Sequence, residues 1–190
     1  MNAAHLEFCS SPEWQRMIEE IVLPAAIRDL DLGDDVLEVG PGFGFVTDVL
    51  RTVTGRLTAV EIDSALAAAL KERLAGTNVD VIEGDATALD FADDRFSSAV
   101  SLNMLHHVPT SAAQDRIFQE LARVLRAGGL LVAADSIPHD GYDEFHAGDT
   151  HNPIDPDDLT VRLGAAGFTD IDIGLYDLGW TCAARAPASS

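Results

Sequence analysis

The stretch Val36-Leu37-Glu38-Val39-Gly40-Pro41-Gly42-Phe43-Gly44 decides how the rest of the chain is read. It is an apolar strand that ends in an acid and runs directly into three alternating glycines. Lacking a Cβ, such a turn lets a nucleoside cofactor lie against the backbone, and the strand-end acid is placed to meet its amino or hydroxyl groups. The dinucleotide fingerprint G-x-G-x-x-G would need its third glycine at position 45. Position 45 is Phe45, and the glycine stands one place earlier, so the spacing is G-x-G-x-G. Alone, these glycines would also suit a bare strand-to-helix turn, and the flanking segments have to decide.

Working outward, short apolar runs alternate with amphipathic ones. Strands are expected over 35–39, 57–61, 79–82, 96–102 and 129–134, and helices near 44–53, 64–75 and 110–126. This alternation predicts right-handed βαβ units, a mainly parallel sheet covered on both faces, and ligands at the carboxyl ends of the strands. After a helix over 156–166, the segments Phe168 to Tyr176 and Trp180 to Arg185 are joined by a turn too short for a parallel crossover. The expected fold is therefore α/β: a Rossmann-like, doubly wound, seven-stranded, mostly parallel sheet closed by a C-terminal antiparallel hairpin. Upstream, Ser11-Pro12 opens a helix carrying Trp14, Met17, Ile18, Ile21 and Val22 at helical spacing, which Pro24 is expected to kink or split. No internal repeat appears. One domain over 1–190 is expected, with a helical segment 1–33, a cofactor-binding core 34–134, and a substrate loop, helix and hairpin over 135–190.

Composition narrows the function. Twelve basic against 32 acidic residues give a net charge of −20, and Lys71 is the sole lysine. Binding of nucleic acid needs a basic patch that displaces counterions from phosphates, so nucleic-acid substrates are disfavoured, as are anionic membranes. A solvated acidic surface is the simpler reading. Two cysteines, Cys9 and Cys182, cannot build a disulfide framework. With neither a signal peptide nor a long apolar run in view, a soluble cytoplasmic protein is expected. Oligomeric state is left open.

The polar residues at the strand ends form a set. The second strand ends Val60-Glu61-Ile62-Asp63, where an acid about 20 residues beyond the glycines suits ribose hydroxyls, as it also would in a nicotinamide enzyme. The third ends Glu83-Gly84-Asp85-Ala86, and Asp85 there also suits an Asx-turn. The fourth leads into Asn103-Met104-Leu105-His106-His107-Val108-Pro109, and Arg126-Ala127-Gly128-Gly129-Leu130 precedes the fifth. Over roughly residues 35 to 135, this order and spacing resemble the class I S-adenosylmethionine (SAM)-dependent methyltransferases. The resemblance implies SAM as cofactor. It assigns Glu38 to the methionine amino group, Gly40, Gly42 and Gly44 to close cofactor approach, Glu61 to ribose, and Asp85 and Ala86 to adenine, with Phe43, Ile62 and Asn103 as neighbours. It implies in-line methyl transfer to a small-molecule acceptor at oxygen, nitrogen or carbon. A nicotinamide-dependent oxidoreductase is the competing reading, opposed by Phe45, the acid pair Glu61 and Asp85, and the hairpin. A module that binds SAM without turnover is the third.

Histidines are the candidate bases. His106 matches a position where the family often carries a histidine beside the methyl group, and His107 is expected to point elsewhere; either would also serve to hydrogen-bond the loop. The connection from Asp135 to Asp155 is long enough to be functional and holds His139, Asp140, Tyr142, Asp143, Glu144, His146, Asp149 and His151. Its string Phe145 to Pro153 resembles small bacterial methyltransferases of undefined substrate. His146 is a candidate for substrate contact. His146, Asp149 and His151 are suitable ligand types, but their spacing fits no fixed template, and no metal site is assigned. The stretch His5-Leu6-Glu7-Phe8-Cys9 is placed to fold over the acceptor pocket, with Cys9 read as a small thiol lacking an assignable histidine partner.

Overall fold

The computed structural model describes residues 2–27, 29–137 and 146–188. Seven strands form one sheet: β1 (Asp35–Val39), β2 (Arg56–Glu61), β3 (Val79–Glu83), β4 (Phe96–Leu102), β5 (Leu125–Ser136), β6 (Thr169–Tyr176) and β7 (Gly179–Arg185). Their order is β3-β2-β1-β4-β5-β7-β6, parallel up to β5 and antiparallel through the β6–β7 hairpin. This is the architecture expected from the alternation. The inner strands β1 and β4 are almost wholly buried, as a strand covered on both faces must be.

The helices are α1 (Ala3–Cys9), α2 (Pro12–Met17), α3 (Leu23–Ile27), α4 (Phe45–Val53), α5 (Ser64–Arg73), α6 (Ser111–Val124) and α7 (Pro156–Ala165). On one face, Ile18, Val22, Leu23 and Leu50 pack against Val36, Leu57, Val100 and Val132, and Ala67 and Leu70 of α5 extend that layer over Ala59 and Val81. On the other, Ile117, Phe118 and Leu121 of α6 and Leu159 and Leu163 of α7 cover Leu37, Ala99, Leu131 and Trp180. No helix among the described residues is long and apolar enough to cross a membrane.

Three details differ from the sequence expectation. Pro24 does not split the amino-terminal helix. A π turn over Ile18–Val22 precedes it, with the Leu23 N–H reaching back to the Ile18 carbonyl, and this wider turn accommodates a proline ring that would otherwise crowd a preceding carbonyl. The stretch before Ser11 is itself helical, with the Asn2 side chain capping α1 by accepting from the His5 N–H. Strand β5 begins at Leu125 rather than 129: Leu125 pairs with Phe96 and Leu130 with Ser98, so residues 126–129 bulge from the ladder. A Cβ on Gly129 would lie 2.8 Å from the Arg126 carbonyl oxygen.

The chain leaves β1 for β2 on one side and returns at β4 on the other, which makes the carboxyl ends of β1 and β4 the switch point where ligands bind in such sheets. The glycine turn sits there. Its Gly40 N–H donates to the Val60 carbonyl (2.9 Å), so the turn leans over β2. Gly44 has φ +84, and a Cβ on it would run into Leu70 and the Arg73 guanidinium of α5. Arg73 in turn donates to the Phe43 carbonyl (3.1 Å) and to Asp48 (2.6 Å). Gly44 is thus where α4 and α5 close together. The left-handed backbone costs about 1–2 kcal/mol for a residue bearing a Cβ. With the steric clash added, Gly44→Ala is expected to destabilise the fold by about 2 kcal/mol, read as a drop of about 4–8 °C in Tm.

Candidate active site

A cavity of about 570 Å³ opens over the strand ends. Glu38, Gly40, Gly42, Phe43, Glu61, Ile62, Asp85, Ala86, Asn103 and His107 all line it. Gly44, His106 and His146 do not: Gly44 faces α5, and the two histidines lie behind the wall. His139, Asp140, Tyr142, Asp143 and Glu144 fall outside the described residues.

Each strand end contributes its acid differently. Glu38, at the end of β1, is 2% exposed, and among the described residues its Oε2 has no hydrogen-bond partner. Burial, reinforced by the nearby Asp48 and Glu61 carboxyls, pushes it up to about 8. Glu61, at the end of β2, is tied into the backbone: Oε2 accepts from the Gly42 N–H (2.9 Å) and Oε1 from the Asp63 N–H (2.9 Å). Asp85 accepts from the Thr87 N–H (2.8 Å), so its Asx-turn and its place on the cavity wall coexist. Gly42 has φ +54, and nothing lies within 4 Å of where its Cβ would be, so the turn leaves that volume to the cavity. Asn103 follows β4 with φ +53, a conformation asparagine tolerates, and its buried Nδ2 has no partner among the described residues.

At the other end of the cavity the 3₁₀ turn Leu105–His107 carries the two histidines. His107 was expected to point away, yet its ring lines the cavity. The tight turn sets His106 inward instead, where the fully buried Asp135 accepts from its backbone N–H (2.9 Å) and from its Nδ1. Burial, with other histidines close by, pushes His107 down to about 3, so it is neutral at physiological pH. His5 is lowered too, chiefly by burial, and burial raises the Cys9 thiol to about 11, leaving it protonated and unreactive. The Gln114 side chain donates to the Leu105 carbonyl (2.9 Å) and the Asn152 carbonyl (2.8 Å), while the Asn152 N–H donates to His106 (2.8 Å). These bonds strap the 146–152 segment onto the turn.

Several cavity residues were not singled out from sequence: Met104, whose side chain a Cβ on Gly40 would strike, Arg116 of α6, Trp14 of α2, and Thr150. Nor was Asp135 given a role beyond opening the loop. Its signal was present, since it is an acid ending an apolar strand like Glu38 and Glu61.

The burial of Glu38 has a pH signature. Its folded value of about 8 lies above its ordinary 4.5, so between those limits the folded chain holds a proton that the unfolded chain releases, and stability falls as pH rises. Glu38→Gln removes this dependence. The variant is expected to gain stability relative to the parent between pH 5 and 8, by at most about 1.4 kcal/mol per pH unit, with the gap levelling off above pH 8. Tm profiles of the two proteins against pH check this.

Comparison with known proteins accords with this geometry. The family described as "Methyltransferase domain" matches residues 37–133, from β1 into β5. A probable S-adenosylmethionine-dependent methyltransferase of Mycobacterium tuberculosis is 32% identical over 151 residues, covering 75% of this chain and 52% of that protein. A probable ribosomal RNA small subunit methyltransferase A of Methanothermobacter thermautotrophicus is 36% identical over 102 residues, covering 48% of this chain and 37% of that protein. The chain spans between about a quarter and a half of the length of the curated relatives it matches. Among solved structures, a chain of the complex between the Haloferax volcanii Trm112 methyltransferase activator and a methyltransferase superposes with a TM-score of 0.75 at 17% identity, covering 98% of this chain and 99% of that one. A SAM-dependent methyltransferase from Aquifex aeolicus superposes with a TM-score of 0.72 at 17% identity, covering 98% of both chains. Those likenesses are of fold, whereas the family match takes in the glycine turn and all three strand-end acids. This chain belongs to the class I SAM-dependent methyltransferase family.

Proposed function

We propose that the chain transfers a methyl group from SAM to a small-molecule acceptor carrying an oxygen, nitrogen or carbon nucleophile. The charge of the cavity carries this reading. Among the described residues, five carboxyl groups, from Glu38, Glu61, Asp63, Asp85 and Asp149, line it against the one guanidinium of Arg116. Such a lining suits a cofactor bearing a sulfonium and an ammonium, and opposes the two phosphates of a nicotinamide dinucleotide. A dinucleotide would look to the turn before α4 for its anion site, but the cation there, Arg73, is already engaged by Asp48 and the Phe43 carbonyl.

The residues present fit SAM. The Oε2 of Glu38, without a hydrogen-bond partner among the described residues, suits its ammonium, Glu61 its ribose hydroxyls and Asp85 its adenine amino group, while the volume over Gly42 admits it against the backbone. Bound there, SAM supplies an electrophilic methyl group for in-line displacement. The protein's own part is alignment and exclusion of water. His107, neutral and weakly basic, contributes a wall rather than a base. His106, held by Asp135, is a positioning residue for the turn that carries that wall. The RNA substrate class named for some relatives is opposed here by the net charge of −20 and the acidic lining.

Thermal unfolding in the presence of SAM, its demethylated product or NAD tests the proposal. At a hundredfold excess over Kd, SAM and its product are expected to stabilise the protein by about 2.7 kcal/mol, and NAD to have no effect. Gly42→Ala, which puts a methyl group into the cavity, is expected to bind SAM at least about tenfold more weakly while losing only about 1–2 kcal/mol of stability to backbone strain. Radiolabelled SAM with a panel of small acceptors then reads turnover. Protection by NAD without protection by SAM would overturn the reading.

A further inference from the structure

The sequence grouped His146 with Asp149 and His151, all on one segment. The fold groups it differently. His5 of α1, His107 of the 3₁₀ turn and His146 bring one potential ligand nitrogen each to within 4.8 Å of one another. We propose that these three imidazoles bind a divalent zinc-class cation beside the SAM cavity, just behind the part of its wall that His107 forms.

The ring geometry is close to what such an ion requires. Tetrahedral coordination with Zn–N bonds near 2.05 Å sets ligand nitrogens about 3.3 Å apart and ring centroids about 5.2 Å apart. The observed centroid separations are 4.9 Å for His5–His107, 4.7 Å for His5–His146 and 5.8 Å for His107–His146. These separations bracket the required one, and rotation about side-chain torsions would draw the nitrogens closer than the 4.8 Å within which they lie.

Two further observations point the same way. The Asp149 carboxylate lies 3.0 Å from Nδ1 of His5, and the two side chains are only 5% and 3% exposed. A carboxylate on one ring nitrogen fixes the tautomer and directs the other nitrogen to a metal, the usual outer partner of a histidine ligand. The three ligand-bearing segments are also tied to one another before any ion is considered. Asn2 donates to the Ala147 carbonyl (3.1 Å), joining α1 to the segment of His146, and the Asn152 N–H donates to the His106 carbonyl (2.8 Å), joining that segment to the turn of His107. His151 stacks on His146 at 4.4 Å and sets its ring plane.

Three neutral nitrogen ligands leave a fourth position, as in catalytic rather than structural zinc sites. Of the three ligands His107 borders the cavity, with Asp149 and Thr150 beside it, so on this proposal the fourth position would open toward the cavity on the His107 side. There the ion would hold an acceptor oxygen or nitrogen and favour its deprotonated form, the proton passing to solvent. This role rests on the methyl-transfer reading; the binding of the ion does not.

The test uses the full-length, tag-free protein, stripped with a chelator and titrated with Zn²⁺ against a chromophoric competitor, so that weak binding to surface carboxylates does not register. One equivalent is expected to bind, and Co²⁺ in its place is expected to give the intense visible absorption of a four-coordinate site. His5→Ala, His107→Ala and His146→Ala are each expected to weaken Zn²⁺ binding about 100-fold or more, and Asp149→Asn about 10- to 100-fold. Thermal protection by SAM shows that each variant is folded, and the Co²⁺ spectrum of the unsubstituted protein needs no variant. Absence of a stoichiometric site, or affinity kept within about threefold when His5 and His107 are both replaced, would overturn the proposal. Zinc binding without SAM protection would instead overturn the methyl-transfer reading alone.

Discussion

The carboxylate of Glu61 is the constraint on which the donor half of the site depends. It ends β2, yet one oxygen accepts from the Gly42 N–H in the turn after β1 and the other from the Asp63 N–H. Together with the bond from Gly40 to the Val60 carbonyl, this locks the glycine turn onto the neighbouring strand. Three alternating left-handed glycines, Gly40, Gly42 and Gly44 at φ +71, +54 and +84, would otherwise be a flexible stretch that loses much entropy on ordering. The residue assigned to ribose is therefore also the one that holds the cradle in shape.

The second organising fact is electrostatic. The cavity gathers carboxyl groups, and one of them, Glu38, is buried deeply enough to be pushed up to about 8. That arrangement is unfavourable for the fold and favourable for a cationic ligand, a common compromise at functional sites. At the far end the pattern reverses. Imidazoles from five positions, His5, His106, His107, His146 and His151, crowd together, with Asp135 and Asp149 each fixing one of them.

Much of the donor half was legible in the sequence because its signals are local. Alternating apolar runs, prolines and glycines at several boundaries, and acids at or just after the ends of β1, β2 and β3 need only a few neighbouring residues to be recognised. Where local reading slipped, the cause was a compensation the sequence does not display. A π turn absorbed Pro24, and a bulge carried β5 back to Leu125. Gly44 was grouped with its neighbours by spacing, but its missing Cβ makes room for Leu70 and Arg73, which lie on the next helix.

The sequence by itself determined the fold class and the family, since each follows from short-range periodicity and from a motif within nine residues. Only the tertiary structure decided which side chains gather at the far end of the cavity. His5 and Asp149 stand 144 positions apart, and His106 and Asp135 stand 29 apart, so no spacing rule could pair them. His106 meets Asp135 because β4 and β5 pair side by side, and His5 meets Asp149 because α1 and the 146–152 segment pack together. Such packing reflects the shape of the whole chain, whereas a turn or a strand reflects the residues next to it.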